Sequence, residues 1–364
     1  MKLVILRKRN IRQVNFLSFL LAIFGSTLCT TVQAVTVDDL YVANVYVTSQ
    51  SASELKSGAR AGLIQVLTRV SGSSTVQQHT IVSKALRNPS PYYYQYSYQS
   101  TEKEFQIGDE IVAATNLRLR FEPNAIAQLL RSAGFPVWGS NRPSILLWIA
   151  LNDGQERRLL SELDHSELTA ALSMHAKLRG LPLLYPLLDL EDNSSISTAE
   201  VWGAFLGRVE EASRRYNPDA MLSARIQKSE GGEWSGNWYY QIDGEWQEFE
   251  NFALTAEELV LELVDMLVVD LAAQYAVDSS ESFVELRVEG VDSLKDYSAI
   301  SKYLQSLTPV LDTYVALVDQ DEVVFQLKTE GRVEQLIEII GLDTSMMLLN
   351  GSAKNQKLYY RWLL

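Results

Sequence analysis

The chain of 364 residues is poor in several things that functional sites are built from: it has one cysteine, three histidines and fewer basic than acidic residues, 32 against 45. A single Cys, at position 29, excludes an intramolecular disulfide and a thiolate zinc set. His79, His165 and His175 contain no i, i+4 pair, which removes the zinc-helix pattern, and His175 reads as a hydrogen-bonded core residue. A formal net charge of −13 with scattered Lys and Arg argues against a nucleic-acid partner, whose phosphates demand clustered cations. Neither a nucleophile elbow nor a phosphate-cradling glycine loop is present. Ser53-Glu54-Leu55-Lys56 has Ser-x-x-Lys spacing, but Lys328-Thr329-Glu330 stands where a companion Lys-Thr-Gly is needed, and helix capping accounts for Ser53. The sequence therefore nominates no catalytic residue, no cofactor and no metal ligand. Paired carboxylates, as in glycosidases, stay open only because 45 acidic residues supply many pairs.

What is present begins with an export leader. Lys2, Arg7, Lys8, Arg9 and Arg12, with no carboxylate, precede an apolar run from Val14 to Leu28 that falls short of the about 20 residues of a membrane span. Val32-Gln33-Ala34 offers a cleavage site after Ala34, so a periplasmic protein is expected, held at a membrane only if the leader stays uncut. Leu28 before Cys29 argues against lipid attachment. Cleavage would remove five cations and the Cys, taking the charge from −13 to −18.

Hydropathy patterning predicts an α+β, multi-domain chain: residues 35–140, 141–278 and 281–364 after the leader 1–34. In the first unit a strand at Val42–Val47 precedes a helix with capping-box spacing at Ser51 and Glu54, stopped by Gly72. Two antiparallel strands follow, at Tyr92–Gln99 and Ile111–Phe121. The second unit opens with an unbroken apolar strand, Ile145–Leu151. It continues with helices over 167–179 and 198–216, a strand over 220–227, an Asp243-Gly244 hairpin and a buried helix from Thr255 to about Tyr275. The third unit reads β-α-β-β-α-β, a ferredoxin-like order, with Lys357–Trp362 extending the sheet at its edge. Tyr314, Phe325 and 358–362 place aromatic area near its helix-free face, which is expected either to serve association or to pack on the middle unit of the same chain.

Two sets of residues are candidates for interaction. Tyr92, Tyr94, Tyr96 and Tyr98 alternate onto one strand face, either to stack on a partner or to close a core, and Trp234, Trp238 and Trp246 carry the same ambiguity. Trp138, Asn141 and Arg142 form a junction loop, with Arg142 tying the first two units through charge-assisted bonds. Asp189-Leu190-Glu191-Asp192-Asn193 lacks the ligand alternation of a calcium loop and reads as a solvated loop. The expected partner is another envelope protein, and a homo-oligomer stays open.

Three stretches together resemble the proteobacterial domain-of-unknown-function family 2066: Val70-Ser71-Gly72, then 136–143 with Leu146-Leu147-Trp148-Ile149-Ala150, then Arg179 to Asp192. The resemblance covers most of 37–270 and implies a gammaproteobacterial envelope protein with a cleaved signal and no assigned activity. Residues 144–276 are also similar in element order to the periplasmic domains of curli-secretion and Tol-system proteins, which bind partners and catalyse nothing. The function expected is a non-catalytic binding or assembly module, with a metal-independent envelope-glycan hydrolase as the alternative.

Overall fold

The computed structural model describes residues 37, 39–107, 110–154, 156–242, 244–277 and 280–363. Residues 1–34, where a leader cleaved after Ala34 is expected, lie outside them. The protein is α+β with three mixed or antiparallel sheets.

The first sheet has order β1-β3-β2, from β1 (Val42–Val47) and the hairpin of β2 (Tyr93–Ile107) and β3 (Glu110–Phe121). Helix α1 (Ala52–Ser71) starts where the Ser51 hydroxyl accepts from the Glu54 amide and stops at Gly72, whose φ of 73° permits the left-handed turn. Its Leu63, Leu67 and Val70 bury against Leu117, Leu119 and Phe121, and α2 (Thr80–Ala85) and α3 (Pro123–Ser132) complete that core. A Cβ at Gly58 would lie 2.6 Å from Leu117, so this glycine sets how closely helix meets sheet.

The alternation expected for the tyrosines is broken. Tyr92 ends a 3₁₀ turn, and a bulge between Tyr93 and Gln95 leaves Tyr94 without a cross-strand partner. One inserted residue reverses the parity. Tyr93, Tyr96 and Tyr98 therefore form the edge-to-face row, at 6.1 and 5.9 Å, while Tyr94 is 62% exposed. Tyr92, Tyr93 and Tyr98 lean on the first core.

The second sheet comprises β4 (Ile145–Asn152), β5 (Arg158–Leu159), β6 (Leu183–Leu184), β7 (Ala220–Lys228), β8 (Trp234–Ile242) and β9 (Glu245–Ala253), ordered β5-β4-β7-β8-β9 with β6 also on β4. Strand β4 is apolar from Ile145 to Leu151 because both faces are covered: Leu147, Ile149 and Leu151 meet the core of α4 (Glu167–Arg179) and a later long helix, while Leu146, Trp148 and Ala150 meet a small cluster on the other side. Trp234 and Trp238 are core residues, and Trp246 is half-buried with its indole N–H 2.7 Å from Glu210 Oε1. After α5 (Leu190–Ser195), the single helix expected over 198–216 is two, α6 (Thr198–Trp202) and α7 (Leu206–Ser213), because Ala204 between them adopts φ 55°. The acidic stretch at 189–193 is not a solvated loop either. Asp189 caps α5, and the buried Asp192 accepts from the Leu188 amide at 2.8 Å and the Tyr216 hydroxyl at 2.6 Å. Helix α8 (Ala256–Tyr275) lies across the sheet.

The third sheet is built from β10 (Glu281–Glu289), β11 (Val310–Asp319), β12 (Glu322–Glu330), β13 (Met346–Ser352) and β14 (Lys357–Trp362), with α9 (Leu294–Ser306) and α10 (Val333–Gly341) on one side. Its order, β11-β12-β10-β14-β13, corrects the expected position of the last strand. Lys357–Trp362 lies inside the sheet, parallel to β10, and β13 takes the edge. Burial explains the choice: Leu358, Tyr360 and Trp362 sink into the core, whereas Met347 and Leu348 are over 40% exposed. Phe325 is likewise internal, stacked on Tyr297. The helix-free face is therefore mixed, carrying Lys328–Glu281 (3.0 Å), Arg287–Glu322 (3.0 Å) and Lys357–Glu285 (3.1 Å) pairs beside the exposed rings of Tyr314 and Phe283.

Candidate functional site

The three sheets draw on residues 42–121, 145–253 and 281–362, and the loop 137–142 touches the structure around each of them. The Trp138 amide donates to Val70 O at 2.7 Å, at the end of α1. Asn141 Nδ2 donates to Ile339 O of α10 at 2.9 Å. Val137 pairs with Val277 just beyond α8, and Gly139 packs so tightly that a Cβ there would overlap the Thr308 side chain. Arg131 to Glu330 adds an ion pair between α3 and β12.

Arg142 is the centre of this loop and 1% exposed. Its Nε donates to Gly139 O (2.9 Å), Nη1 to Arg179 O (2.8 Å) and Gly180 O (3.2 Å), and Nη2 to Arg69 O (2.8 Å) and Trp138 O (3.1 Å). Those five bonds use every N–H a guanidinium has. The group also lies over the Trp138 ring, 4.0 Å from its centroid. Burial, reinforced by the Arg69 charge, pushes its pKa down to about 9, so it remains a cation at neutral pH.

The arrangement has a simple electrostatic cause. The C-terminal ends of α1 and α4 meet here, each presenting unsatisfied carbonyls and a partial negative charge. Arg69, in the last turn of α1, donates to Leu178 O of α4 at 3.1 Å and also to Asp39 O, Leu40 O and Val42 O. Arg179, the last residue of α4, returns the contact with a bond to Gly72 O at 3.2 Å and pairs with Asp265 of α8 at 3.1 Å. Burial lowers the pKa of Arg69 and of Arg179, opposed by Asp39 in the first case and Asp265 in the second. Gly180, at φ 69°, must be glycine twice over: a Cβ would sit 2.9 Å from Arg142 Nη1. Each helix thus caps the other, and Arg142 caps both.

Beside this cluster lies a cavity of about 580 Å³ whose walls include Asp39, Asn44, Arg69, Glu162, Lys177 and Tyr185. Asp39 also pairs with Arg118 at 3.1 Å. The walls offer hydrogen-bonding groups of both signs around an apolar floor, suited to holding a small polar ligand or a side chain. Among the described residues, no three His, Cys, Asp or Glu side chains are grouped to hold a metal ion, and no helix is long and apolar enough to cross a membrane. Of the sequence candidates, Trp138, Asn141 and Arg142 come together at the junction, and none of the three lines the cavity. Tyr94, Tyr96 and Tyr98 belong to the first sheet and Tyr92 to the turn before it, and none of the four lines this cavity. Arg69 and Arg179 carry no distinguishing sequence signal, since a basic residue in a last helical turn is ordinary.

No curated protein matches the chain. One solved structure, described as an uncharacterized protein, aligns over 36% of this chain and 97% of its own, with 12% identity and a TM-score of 0.17. Another, an allophanate hydrolase from Kluyveromyces lactis, aligns over 76% of this chain and 66% of its own, with 7% identity and a TM-score of 0.16. Neither likeness carries an argument about fold or function. The resemblance to family 2066 is overturned: the family model that matches is DUF8605, a domain of unknown function, over residues 34–139, a range that leaves out the motif stretches at 146–150 and 179–192.

Proposed function

We propose that the chain is a non-catalytic binding or assembly module of the cell envelope, exported by its leader and working in the periplasm after cleavage at Ala34. The observation that supports this most is the use of charge at the junction: Arg142 spends all its donors on backbone carbonyls, so a fully buried charged group is committed to joining sheets. In this reading the third sheet is a ferredoxin-like β-α-β-β-α-β unit with β14 inserted beside its first strand, and the second is a curli-secretion or Tol-like unit.

A second reading has one supporting observation. Asp39 and Glu162 both line the cavity of about 580 Å³, which gives a two-carboxylate glycan hydrolase a place to work. The two are separated by incubating purified protein and its Glu162→Gln variant with envelope glycan fragments, while a photo-crosslinker at Lys177 is activated in cells. Discrete, reproducible protein adducts with no glycan release uphold the binding module. Glycan release that disappears in Glu162→Gln overturns it. Intact mass of the periplasmic form beginning at Val35 is expected for export, and recovery of only the uncut chain in membranes contradicts it.

A further inference from the structure

Sheet edges expose unpaired backbone groups and are usually blunted by charge, brevity or cover. In this molecule most edges follow that rule. Strand β1 is six residues long and gives its Val42 carbonyl to Arg69. Strand β2 carries Glu102, Lys103 and Glu104, β9 carries Glu245, Glu248 and Glu250, and β5 and β6 have two residues each. Two edges, both of the third sheet, do not follow it: β13, seven residues without a charge but broken by a bulge between Leu348 and Asn350, and the longer β11. Its ten residues, Val-Leu-Asp-Thr-Tyr-Val-Ala-Leu-Val-Asp, contain no Lys, Arg, Glu or Pro. Leu311, Tyr314, Val315, Leu317 and Val318 are each more than 40% exposed. Pairing with β12 is irregular at Leu311 and Ala316, yet neither irregularity puts a charge on the edge.

We propose that β11 is a strand-addition site that takes an extended apolar segment of another protein, one bearing a Lys or Arg at its ends. The partner's chemistry follows from the charges around the strand. Asp312 and Asp319 stand near its two ends on the helix-free face, to judge by their cross-strand neighbours Lys328 and Glu322. No cation lies within ion-pair distance of Asp312, Asp319 or Asp321 among the described residues, and Lys328 is engaged by Glu281 at 3.0 Å. An apolar strand with basic ends would cover Tyr314, Val315 and Leu317 and neutralise the aspartates, with backbone bonds supplying affinity and the end charges supplying choice. A second copy of this chain is a poor occupant, since it brings its own Asp312 and Asp319 and a net charge of −13 to the same edge. This inference rests on the binding-module reading for its biological meaning, but its test stands apart from glycan release.

The test uses the full chain and three fluorescent nonapeptides of alternating valine and threonine: one with lysine at both ends, one with glutamate at both ends, and a lysine-ended control with proline in the middle. The lysine-ended peptide is expected to bind, at least about tenfold more tightly than the other two. It should slow amide exchange within 310–319. Leu317→Lys, at a position 52% exposed and so harmless to folding, should abolish binding with an unchanged melting curve. Asp319→Lys should invert the preference toward the glutamate-ended peptide. Equal binding of all three peptides, protection elsewhere, or binding that survives Leu317→Lys overturns the proposal. So does a dimer in light scattering that Leu317→Lys converts to monomer, because a second copy would then be the occupant.

Discussion

The junction and the helix-free face of the third sheet use the same side chains in opposite ways. At the junction Arg69, Arg142 and Arg179 are buried and bond mainly to carbonyls, with one carboxylate, Asp265, among their partners. On the third sheet Arg287, Lys328, Lys357 and Arg361 stand in solvent and bond to Glu322, Glu281, Glu285 and Glu289. In water a cation and a carboxylate exchange one good solvation for another, so the pair is worth little. Where water is absent, the alternative to the arginine bond is an orphaned carbonyl at a helix end, and the cost of losing the cation multiplies.

The largest expected effect of that difference is at Arg142. Arg142→Ala strips partners from five buried carbonyls and should destabilise the protein by about 3–5 kcal/mol, read from denaturant unfolding. Arg142→Lys keeps the charge with three donors and should recover part of the loss. If both variants melt like the parent, the carbonyl cluster is satisfied by water and the contrast between the two regions collapses.

His175 lies between the extremes: 7% exposed, its Nε2 without a hydrogen bond and 3.8 Å from Glu257. Burial lowers its pKa, against the opposing pull of Glu257 and Asp265. A depressed folded-state pKa means that the unfolded chain takes the proton first. Its contribution is therefore intact above the unfolded value of about 6.5 and is lost as pH falls from there through the folded value. Stability measured from pH 8 down to 5.5 should decline with a component that His175→Gln removes; an unchanged profile in that variant would assign the decline elsewhere.

The smallest effect belongs to the exposed ladder. Lys328→Ala should change stability by no more than about 0.5 kcal/mol and lose even that in high salt. A cost above about 2 kcal/mol would show that this face is desolvated, and so covered by something.

How much of this was legible in the sequence follows the range of the forces involved. Helix α1 was readable from Ser51 to Gly72, and the strand at 145–152 from its unbroken apolar run, because both signals are local. Trp138, Asn141 and Arg142 stood out because Trp, Asn and Arg crowd between Pro136 and Pro143 in a loop that has no other need of them. The bulge at Tyr94 and the left-handed Ala204 were not readable, since neither residue type favours those conformations and the surrounding packing imposes them. The inner position of 357–362 was hidden for another reason. Element order does not say which of two consecutive strands sits nearer the centre, and only the buried row Leu358, Tyr360 and Trp362 decides it.

The bond from Asn141 to Ile339 joins residues 198 positions apart. At synthesis rates of about 5–20 residues per second, α10 leaves the ribosome on the order of 10–40 s after the loop it must meet. Throughout that interval Asn141 lacks this partner, although the carbonyls that Arg142 bonds, none beyond Gly180, are made well before Ile339. The junction is thus a clock as well as a joint: it cannot be completed until nearly the whole chain exists, which postpones the finished fold to the end of synthesis.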